Sequence, residues 1–355
     1  MPFQHSVPFH SLEFNEPFAL EFGGELPELV IRYETWGTPA PSYDNAVLVC
    51  PAFSADAHAR SHPGNPKRGW WEDLIGPGLA FDTRELFVIC PALLGGSRGT
   101  TGPTSIDPAT GKAYGPDFPE IGVRDIVNAH VRLLDHLGIE RLQAAVGGSL
   151  GGMEAIELAV SHPGRVERVL MVAATDRTLP YTSAVRHLGR QAIQMARRLG
   201  DADDGLRLAR EIATIFYRSR REFNQRFDIA TPPADPDAPP FGEMQAYLAH
   251  QGDKALRIFD IDAYLTLSLA MDLHDVWRGF PSREAALGAV DARFLIAGIE
   301  EDGLISIREQ QALHRTLVAA GQISHWRQLS SPVGHDAFLV ETGMMTKLVR
   351  ELFLL

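Results

Sequence analysis

The five residues 147–151 read Gly-Gly-Ser-Leu-Gly and match the pattern G-x-S-x-G at a change of hydrophobic pattern. Residues 142–146 form a short apolar run typical of a buried strand, and a helix-like pattern begins at Gly152. A strand that passes directly into a helix turns so tightly that glycine is needed beside the serine, and the Ser149 hydroxyl is pushed outward. The motif therefore predicts an exposed nucleophile. A glycine-rich connection with an incidental serine matches the same letters.

A base and an acid that this serine would need occur further along the chain. A serine hydroxyl is a weak nucleophile at neutral pH, so it requires a base within hydrogen-bond distance and a group that orients the base. Asp302 follows the strand-like run 294–299, and His335 lies in a turn after the run 325–329. The order Ser149, Asp302, His335 is that of α/β hydrolases, with each residue at a strand end. We therefore predict an α/β-hydrolase fold: a mainly parallel sheet flanked by helices.

Other segments extend the comparison from about residue 33 to residue 339. They are 33–38 (YETWGT), 56–58 (DAH), 69–72 (GWWE), 76–78 (GPG), 94–103 (LGGSRGTTGP), 105–111 (SIDPATG), 114–119 (YGPDFP) and 334–339 (GHDAFL). With these segments the chain resembles the homoserine O-acetyltransferase family, which also contains serine O-acyltransferases that use acetyl- or succinyl-CoA. Together they are far more specific than G-x-S-x-G alone.

The resemblance implies acyl transfer in two steps from an acyl-CoA co-substrate, with no bound cofactor. Ser149 would attack the thioester with His335 as base, and the acceptor hydroxyl would then attack the acyl-serine with the same base. Asp302 would hold the imidazole. The backbone N–H groups of Leu150 and Phe53 are the expected oxyanion donors, although packing alone would also explain Phe53.

Two competing interpretations concern the acid and the base. Glu300 or Glu301 could replace Asp302, and the whole acidic cluster could be a solvated loop. Asp302 is preferred because Leu304 follows it, in agreement with the resemblance. A single histidine is more often structural than catalytic, and His335 is distinguished from the other histidines by its turn, its neighbours and its place in the chain order.

An amino-acid acceptor presents a carboxylate and an ammonium, which favour an arginine and a carboxylate as partners. The resemblance implies Arg218 for the acceptor carboxylate and Asp336 for its ammonium. The alternatives are a surface arginine on a basic helix, beside Arg220 and Arg221, and a helix N-cap at Asp336.

Two departures from the family pattern bear on the substrates. Family members that use homoserine usually read His-Ala-Leu-Thr-Gly at 51–55, where this chain reads Pro-Ala-Phe-Ser-Ala, and serine-using relatives carry proline at the position of Ala55. A difference of one methyl group in the acceptor pocket changes the free-energy preference between two substrates by only about 1 to 3 kcal/mol. A mixed preference for homoserine and serine is therefore plausible. Arg98 stands where many acetyltransferases have an uncharged residue; it could bind a succinyl carboxylate or order its loop.

Charge, apolar runs and the spacing of cysteine and histidine argue against a nucleic-acid-binding surface, a membrane span, a disulfide and a metal site. The net charge of −12 argues against a surface for nucleic acid or another polyanion. The apolar runs are too short to cross a membrane, and the N-terminus lacks the pattern of a signal peptide. Cys50 and Cys90 lie in strand-like runs, which favours two buried thiols in a reducing cytoplasm over a disulfide. His58, His62 and Asp56 share one loop but lack a repeated ligand spacing, so no metal is expected.

Hydrophobic periodicity divides the chain into a discontinuous core and an insertion. Strand-like and helical patterns alternate up to residue 177, which indicates parallel β-α units. Residues 178–287 instead show helical patterns at 182–199, 205–218, 241–259 and 261–272, interrupted by the proline-rich stretch 231–240. We expect a core of residues 1–177 and 288–355 with a helical lid between them. Homodimerisation through this insertion is implied by the resemblance.

The same stretch concentrates arginine. The members are Arg186, Arg190, Arg197, Arg198, Arg207, Arg210, Arg218, Arg220, Arg221 and Arg226. Most are expected on a solvated helical face, and a subset near the active-site mouth could meet CoA phosphates.

The function that the resemblance implies is acylation of L-homoserine by acetyl-CoA, in the synthesis of methionine and cysteine. L-Serine acetylation or succinylation is the alternative within the family. The same Ser-Asp-His arrangement also serves esterases and thioesterases, which form the alternative from another class, and a non-catalytic binding protein of this fold would be expected to have lost part of it.

Overall fold

The computed structural model describes residues 9–227 and 241–355. Eight strands form its main sheet: β1 Phe9–Phe14, β2 Leu29–Trp36, β3 Ala46–Cys50, β4 Phe87–Pro91, β5 Ala144–Gly148, β6 Arg168–Val172, β7 Arg293–Ile299 and β8 Ser324–Leu329. They lie in the spatial order β1-β2-β4-β3-β5-β6-β7-β8. Only β2 is antiparallel to its neighbours, β1 and β4, and the strands from β3 to β8 run parallel. The predicted α/β fold with a mainly parallel sheet is confirmed.

Burial explains why periodicity located most of these strands. Every residue of β3, β4 and β5 is buried, and these strands are short continuous apolar runs, as expected for a sheet covered on both faces. Strand β1 was missed. Its sequence, FHSLEF, is half polar, and it pairs with the edge of the sheet through its backbone, in register from Phe9 opposite Glu34 to Phe14 opposite Leu29.

Helices connect the strands and cover both faces. They are α1 Val123–Leu137, α2 Leu150–Ser161, α3 Pro180–Arg198, α4 Ala202–Tyr217, α5 Arg220–Arg226, α6 Gly242–Ile258, α7 Ile261–Asp272, α8 Arg283–Leu287, α9 Ile307–Ala319, α10 Ala337–Val340 and α11 Thr342–Leu352. The buried faces of α1, α2 and α9 belong to one hydrophobic layer, and α11 belongs to a second layer on the opposite side of the sheet. The sheet therefore lies between two apolar layers, with its strand ends open to the connecting loops.

Helices α3 to α7 follow β6 in the chain, and the segment that contains them is called the insertion below. Its two ends meet at a backbone bridge between Arg177 and Asp275, and the Thr178 N–H donates to the His274 carbonyl at 2.9 Å. The chain therefore leaves the core and returns to it at nearly the same point. The proline-rich stretch 231–240 lies outside the described residues. Within the described ranges, no helix has both the length and the hydropathy needed to span a bilayer.

Candidate active site

Ser149 lies at the turn between β5 and α2, at the carboxyl edge of the sheet. Its backbone has φ 56° and ψ −121°, a conformation that is costly for a residue with a side chain. The Ser149 N–H donates to the Val172 carbonyl of β6 at 2.9 Å, which ties the turn to the neighbouring strand. This is the sharp strand-to-helix turn that the motif predicted.

The glycines of this turn are required by close backbone approach. A Cβ on Gly147 would lie 2.2 Å from the carbonyl carbon of Gly151, and a Cβ on Gly151 would lie 2.2 Å from the Cys50 carbonyl oxygen. Both obstacles are backbone atoms, which cannot rotate away. Strand β5 ends at Gly148, so it includes two glycines beyond the apolar run 142–146 that indicates it in the sequence.

His335 and Asp302 converge on the serine as the chain order predicts. His335 Nε2 is 2.9 Å from the Ser149 hydroxyl oxygen, and His335 Nδ1 is 2.7 Å from Asp302 Oδ2. The other Asp302 oxygen accepts the backbone N–H groups of Leu304 and Ile305 at 2.8 and 2.9 Å. Asp302 and His335 are both buried. Asp302 is thus the acid on the imidazole, whereas the Glu300 and Glu301 carboxylates bond to Gln328 and to the 330–331 turn, respectively.

The environment of His335 tunes its basicity. Burial acts to lower the His335 pKa, but the Asp302 charge and hydrogen bond outweigh it and raise that pKa above its usual value. The Tyr217 ring stacks on the imidazole with centroids 5.6 Å apart and planes 25° apart. The imidazole is therefore held in one orientation, with Asp302 favouring its protonated form.

The two backbone N–H groups that are expected to bind an oxyanion belong to Leu150 and Phe53. Leu150 is the first residue of α2, where the N–H has no helical partner. Phe53 follows β3, and its ring packs on Phe259 and Tyr264 of the insertion at centroid distances of 4.9 and 5.0 Å. Neither N–H donates to an acceptor within the described part of the chain. The packing of the Phe53 ring therefore leaves its backbone N–H without an acceptor among the described residues.

Ser149 and His335 open into a cavity of about 300 Å³. Arg218 and Asp336 line the same cavity, with Arg218 Nε 3.5 Å from Asp336 Oδ2. Asp336 occupies the N-cap position of α10, but its side chain makes no capping hydrogen bond. The Asp336 carboxylate therefore does not cap α10. Arg218 and Asp336 place a cation and an anion in the same cavity as Ser149.

Ala55 and Arg98 lie in a separate, smaller cavity of about 20 Å³ next to the first. The two cavities share Phe53, Ser54 and Ile258. The Arg98 guanidinium donates to the carbonyl oxygens of Ile258 at 2.6 Å and Arg257 at 3.3 Å, at the C-terminus of α6. These contacts favour the interpretation in which Arg98 orders its loop.

Several residues of the site carry no motif that sequence reasoning could use. Tyr217, Trp70, Gln251 and Lys254 line the Ser149 cavity, and three of them come from the insertion. Their one signal is local: Tyr217 directly precedes Arg218, and Gln251 and Lys254 are spaced for one helical face. Which face covers the active site is decided by the packing of α6.

His58 and His62 of the 56–62 loop form a buried polar cluster with Glu34 of β2, in which one possible ligand atom of each residue lies within 4.8 Å of the others. His58 bridges Glu34 Oε2 at 2.8 Å and the Lys67 carbonyl at 2.7 Å. His62 Nδ1 accepts N–H groups of the 64–65 turn, so its proton is on Nε2, which faces Glu34 at 3.2 Å. Because both ring nitrogens of His58 and Nδ1 of His62 are in hydrogen bonds, these contacts connect the loop to β2 and order its turn.

Comparison with known proteins identifies the family. A family model described as alpha/beta hydrolase fold matches residues 45–342. The chain is 39% identical to a homoserine O-acetyltransferase of Moorella thermoacetica (95% of this chain, 94% of the relative) and 40% identical to a homoserine O-succinyltransferase of a Nocardioides species (92% of each). It is 38% identical to a serine O-succinyltransferase of Stenotrophomonas maltophilia, over 96% of both chains.

Solved structures agree with these relatives. A homoserine O-acetyltransferase from Bacillus anthracis superposes with a TM-score of 0.89 at 28% identity, covering 98% of both chains. Esterase E22 superposes with a TM-score of 0.87 at 26% identity, covering 97% of this chain and 99% of the esterase. Since its relatives of similar length and about 40% identity are acyltransferases, the chain belongs to the homoserine and serine O-acyltransferases of the α/β-hydrolase fold.

Proposed function

We propose that the protein transfers an acetyl group from acetyl-CoA to the hydroxyl of L-homoserine, through an acyl-serine on Ser149. The observation that carries this proposal is the presence of Arg218 and Asp336 in the Ser149 cavity. A guanidinium and a carboxylate match the two charged groups of a free amino acid. A simple ester substrate has no use for such a pair.

Acylation follows from the geometry at Ser149. His335 Nε2, 2.9 Å from the hydroxyl oxygen, removes its proton as the oxygen attacks the thioester carbonyl. Asp302 stabilises the resulting imidazolium through Nδ1. The N–H groups of Leu150 and Phe53 stabilise the tetrahedral oxyanion. Collapse of that intermediate releases the CoA thiol, which takes the proton from His335.

Deacylation repeats the chemistry with the acceptor as nucleophile. Arg218 binds the acceptor carboxylate and Asp336 binds its ammonium, which aims the acceptor hydroxyl at the acyl-serine. His335, neutral again, removes the hydroxyl proton as the acceptor oxygen attacks, and collapse of the second tetrahedral intermediate releases the acylated acceptor while the Ser149 oxygen takes that proton back. Positioning by two charged contacts makes the attack effectively intramolecular, so the acceptor competes with water.

The relatives leave succinyl-CoA and L-serine as alternative substrates within the family, since the similar proteins include two succinyltransferases. Arg98 lies in the smaller cavity with its guanidinium on two backbone carbonyls, which argues against its use for a donor carboxylate. We therefore retain acetyl-CoA as the proposed donor.

An esterase is the second candidate function, favoured by the similarity to esterase E22. In both functions an acyl-serine forms, and they differ in whether water or an acceptor removes the acyl group. The proposed lid, α3 to α7, supports transfer because it places Tyr217, Arg218 and α6 over the nucleophile and narrows the access of water.

We also propose a cytoplasmic homodimer acting in methionine and cysteine synthesis. Cys50 and Cys90 are free and buried, as expected for a reducing compartment. The dimer is supported by exposed apolar side chains on the outer face of the insertion. They are Tyr181, Leu188 and Met195 on α3 and Leu208 and Ile215 on α4, all between 49% and 60% exposed.

A substrate matrix tests the proposed function. Purified protein is incubated with acetyl-CoA or succinyl-CoA and with L-homoserine, L-serine or no acceptor, while CoA release and product mass are followed. We expect O-acetylhomoserine as the main product and slow CoA release without acceptor. Acceptor-independent CoA release at the full rate would instead identify a hydrolase.

The acceptor contacts are tested by Arg218→Ala, with Arg220→Ala, an exposed neighbour outside the cavity, as the matched control. Loss of a charge-assisted contact is worth about 1.5 to 3 kcal/mol, so the homoserine KM should rise roughly ten- to a hundredfold in Arg218→Ala. The acetyl-CoA KM should stay near the wild-type value in both variants. An unchanged homoserine KM would remove Arg218 from the acceptor site.

A further inference from the structure

Helix α6 turns one face toward the Ser149 cavity. Gln251, Lys254, Ala255 and Ile258 all line that cavity, and their spacing of three, four and seven residues places them on one side of a helix. The stripe is roughly 10 Å long at 1.5 Å per residue. Ile258 lies at its inner end, where the two cavities meet, and Ala255 is buried. Lys254 is exposed, so the outer part of the stripe reaches the mouth of the cavity.

The three cationic side chains that line the Ser149 cavity differ in the contacts that they make within the protein. The Arg210 guanidinium lies over the Tyr217 ring, 5.0 Å from its centroid. Arg218 lies 3.5 Å from both Glu222 and Asp336. Lys254 forms no ion pair with any residue in the ranges 9–227 and 241–355. It is therefore the lining cation most available to an outside anion.

The arginines of α3 are among the residues that the sequence suggested for binding the phosphates of CoA. Three of them form ion pairs within the insertion instead. Arg186 and Arg190 both bond to Asp272 of α7, and Arg197 bonds to Asp262. These pairs hold α3 against α7 inside the insertion. None of the three arginines lines the Ser149 cavity.

We propose that Lys254 binds a phosphate group of the acyl-CoA donor at the mouth of the cavity. This inference rests on the proposed function. The donor thioester must reach Ser149 at the inner end, and its phosphates, at the other end of the pantetheine arm, must then lie outward. An ammonium offers three donors and a compact charge. A local cation is needed because the chain carries a net charge of −12, which repels a polyanionic donor.

The test compares two acetyl donors, acetyl-CoA and acetyl-pantetheine, which carries the same thioester arm without phosphates. Steady-state kinetics are measured for wild type, Lys254→Ala and the control Arg257→Ala, an exposed cation on the same helix that does not line the cavity. We expect Lys254→Ala to raise the acetyl-CoA KM about fivefold. Its KM for acetyl-pantetheine and for L-homoserine should match the wild type, and Arg257→Ala should match in all three.

Ionic strength gives a second readout. Added salt screens an exposed charge contact, so the acetyl-CoA KM of the wild type should rise with salt more steeply than that of Lys254→Ala. An equal rise in KM for both donors, or no change in either, would overturn the role of Lys254 while leaving acyl transfer intact. If the wild type transfers no acetyl group from either donor, the proposed function fails and this inference with it.

Discussion

At the scale of single residues, three side chains from distant parts of the sequence form one chain of hydrogen bonds. Ser149, His335 and Asp302 each follow a different parallel strand, β5, β8 and β7, and their connections are 2.9 and 2.7 Å long. The carboxyl ends of parallel strands meet at one edge of a sheet, which is why chain order alone predicted the meeting.

The raised pKa of His335 leads to a pH prediction. The imidazole must be neutral to take a proton, so kcat/KM for acetyl-CoA should rise with pH through an ionisation above 6.5, the usual histidine value. Asp302→Asn removes the charge that raises this pKa, so the midpoint should move to lower pH. Without the carboxylate the imidazole loses its orientation and imidazolium stabilisation, and kcat should fall by about 10⁴.

Rate profiles of both proteins between pH 5.5 and 9 provide the measurement. Ser149→Ala serves as the control: it should lose transfer and keep a wild-type unfolding temperature, since the hydroxyl is not needed for packing. Identical pH midpoints in wild type and Asp302→Asn would show that Asp302 does not set the basicity of His335.

At the scale of elements, a charged hydrogen bond between His58 and Glu34 connects the loop after β3 to strand β2. His58 donates from one ring nitrogen to Glu34 of β2 and from the other to the Lys67 carbonyl, so it must carry a positive charge to satisfy both. Burial acts to lower the His58 pKa, but these hydrogen bonds and the Glu34 charge outweigh it and raise that pKa. Phe53 and Trp70, which precede and follow residues 56–62 in the chain, line the Ser149 cavity.

His58→Gln tests the connection through stability. A group whose pKa is raised by folding contributes stability below its unfolded pKa of about 6.5, and that contribution is lost as pH rises through the folded value. The variant should therefore be less stable by about 3 kcal/mol near pH 6, and the difference should narrow at higher pH. Denaturant unfolding of both proteins from pH 5.5 to 8.5 measures this, and a difference that grows with pH would contradict a charged His58.

At the scale of the whole molecule, the insertion has two faces of different character. Its inner side brings Tyr217, Arg218 and Lys254 to the cavity. Its outer side exposes Leu188 and other apolar residues of α3 and α4, two helices that pack against each other. Exposed apolar side chains at heptad spacing on one helix are typical of a helix–helix interface between subunits.

Leu188→Glu tests the proposed dimer. A charge in an apolar interface is costly to desolvate, so sedimentation velocity should show a shift from dimer to monomer at micromolar concentration. Leu354→Glu, at an exposed leucine near the C-terminus, is the matched control and should remain dimeric. A wild-type protein that is itself monomeric would refute the dimer. A Leu188→Glu variant that remains dimeric would show that the interface lies elsewhere.

The sequence alone determined the parallel part of the sheet, the turn at Ser149 and the chain order that brings its two partners to it. These features depend on hydrophobic periodicity, on backbone space that only glycine leaves, and on chain order, all of which are local or topological. Strand β5 extends beyond the apolar run 142–146 because Gly147 and Gly148 contribute no hydrophobic signal.

Only the tertiary structure decided which side chains the insertion presents to the nucleophile and which carboxylates their charges meet. Tyr217 over His335, Lys254 at the mouth and Arg98 on the end of α6 depend on how α4 and α6 pack across the sheet edge. The same is true of Glu34, whose contact with His58 joins residues 24 positions apart. Such contacts arise from the packing of whole elements, and a sequence pattern read along one segment contains no information about the surface on which that segment will lie.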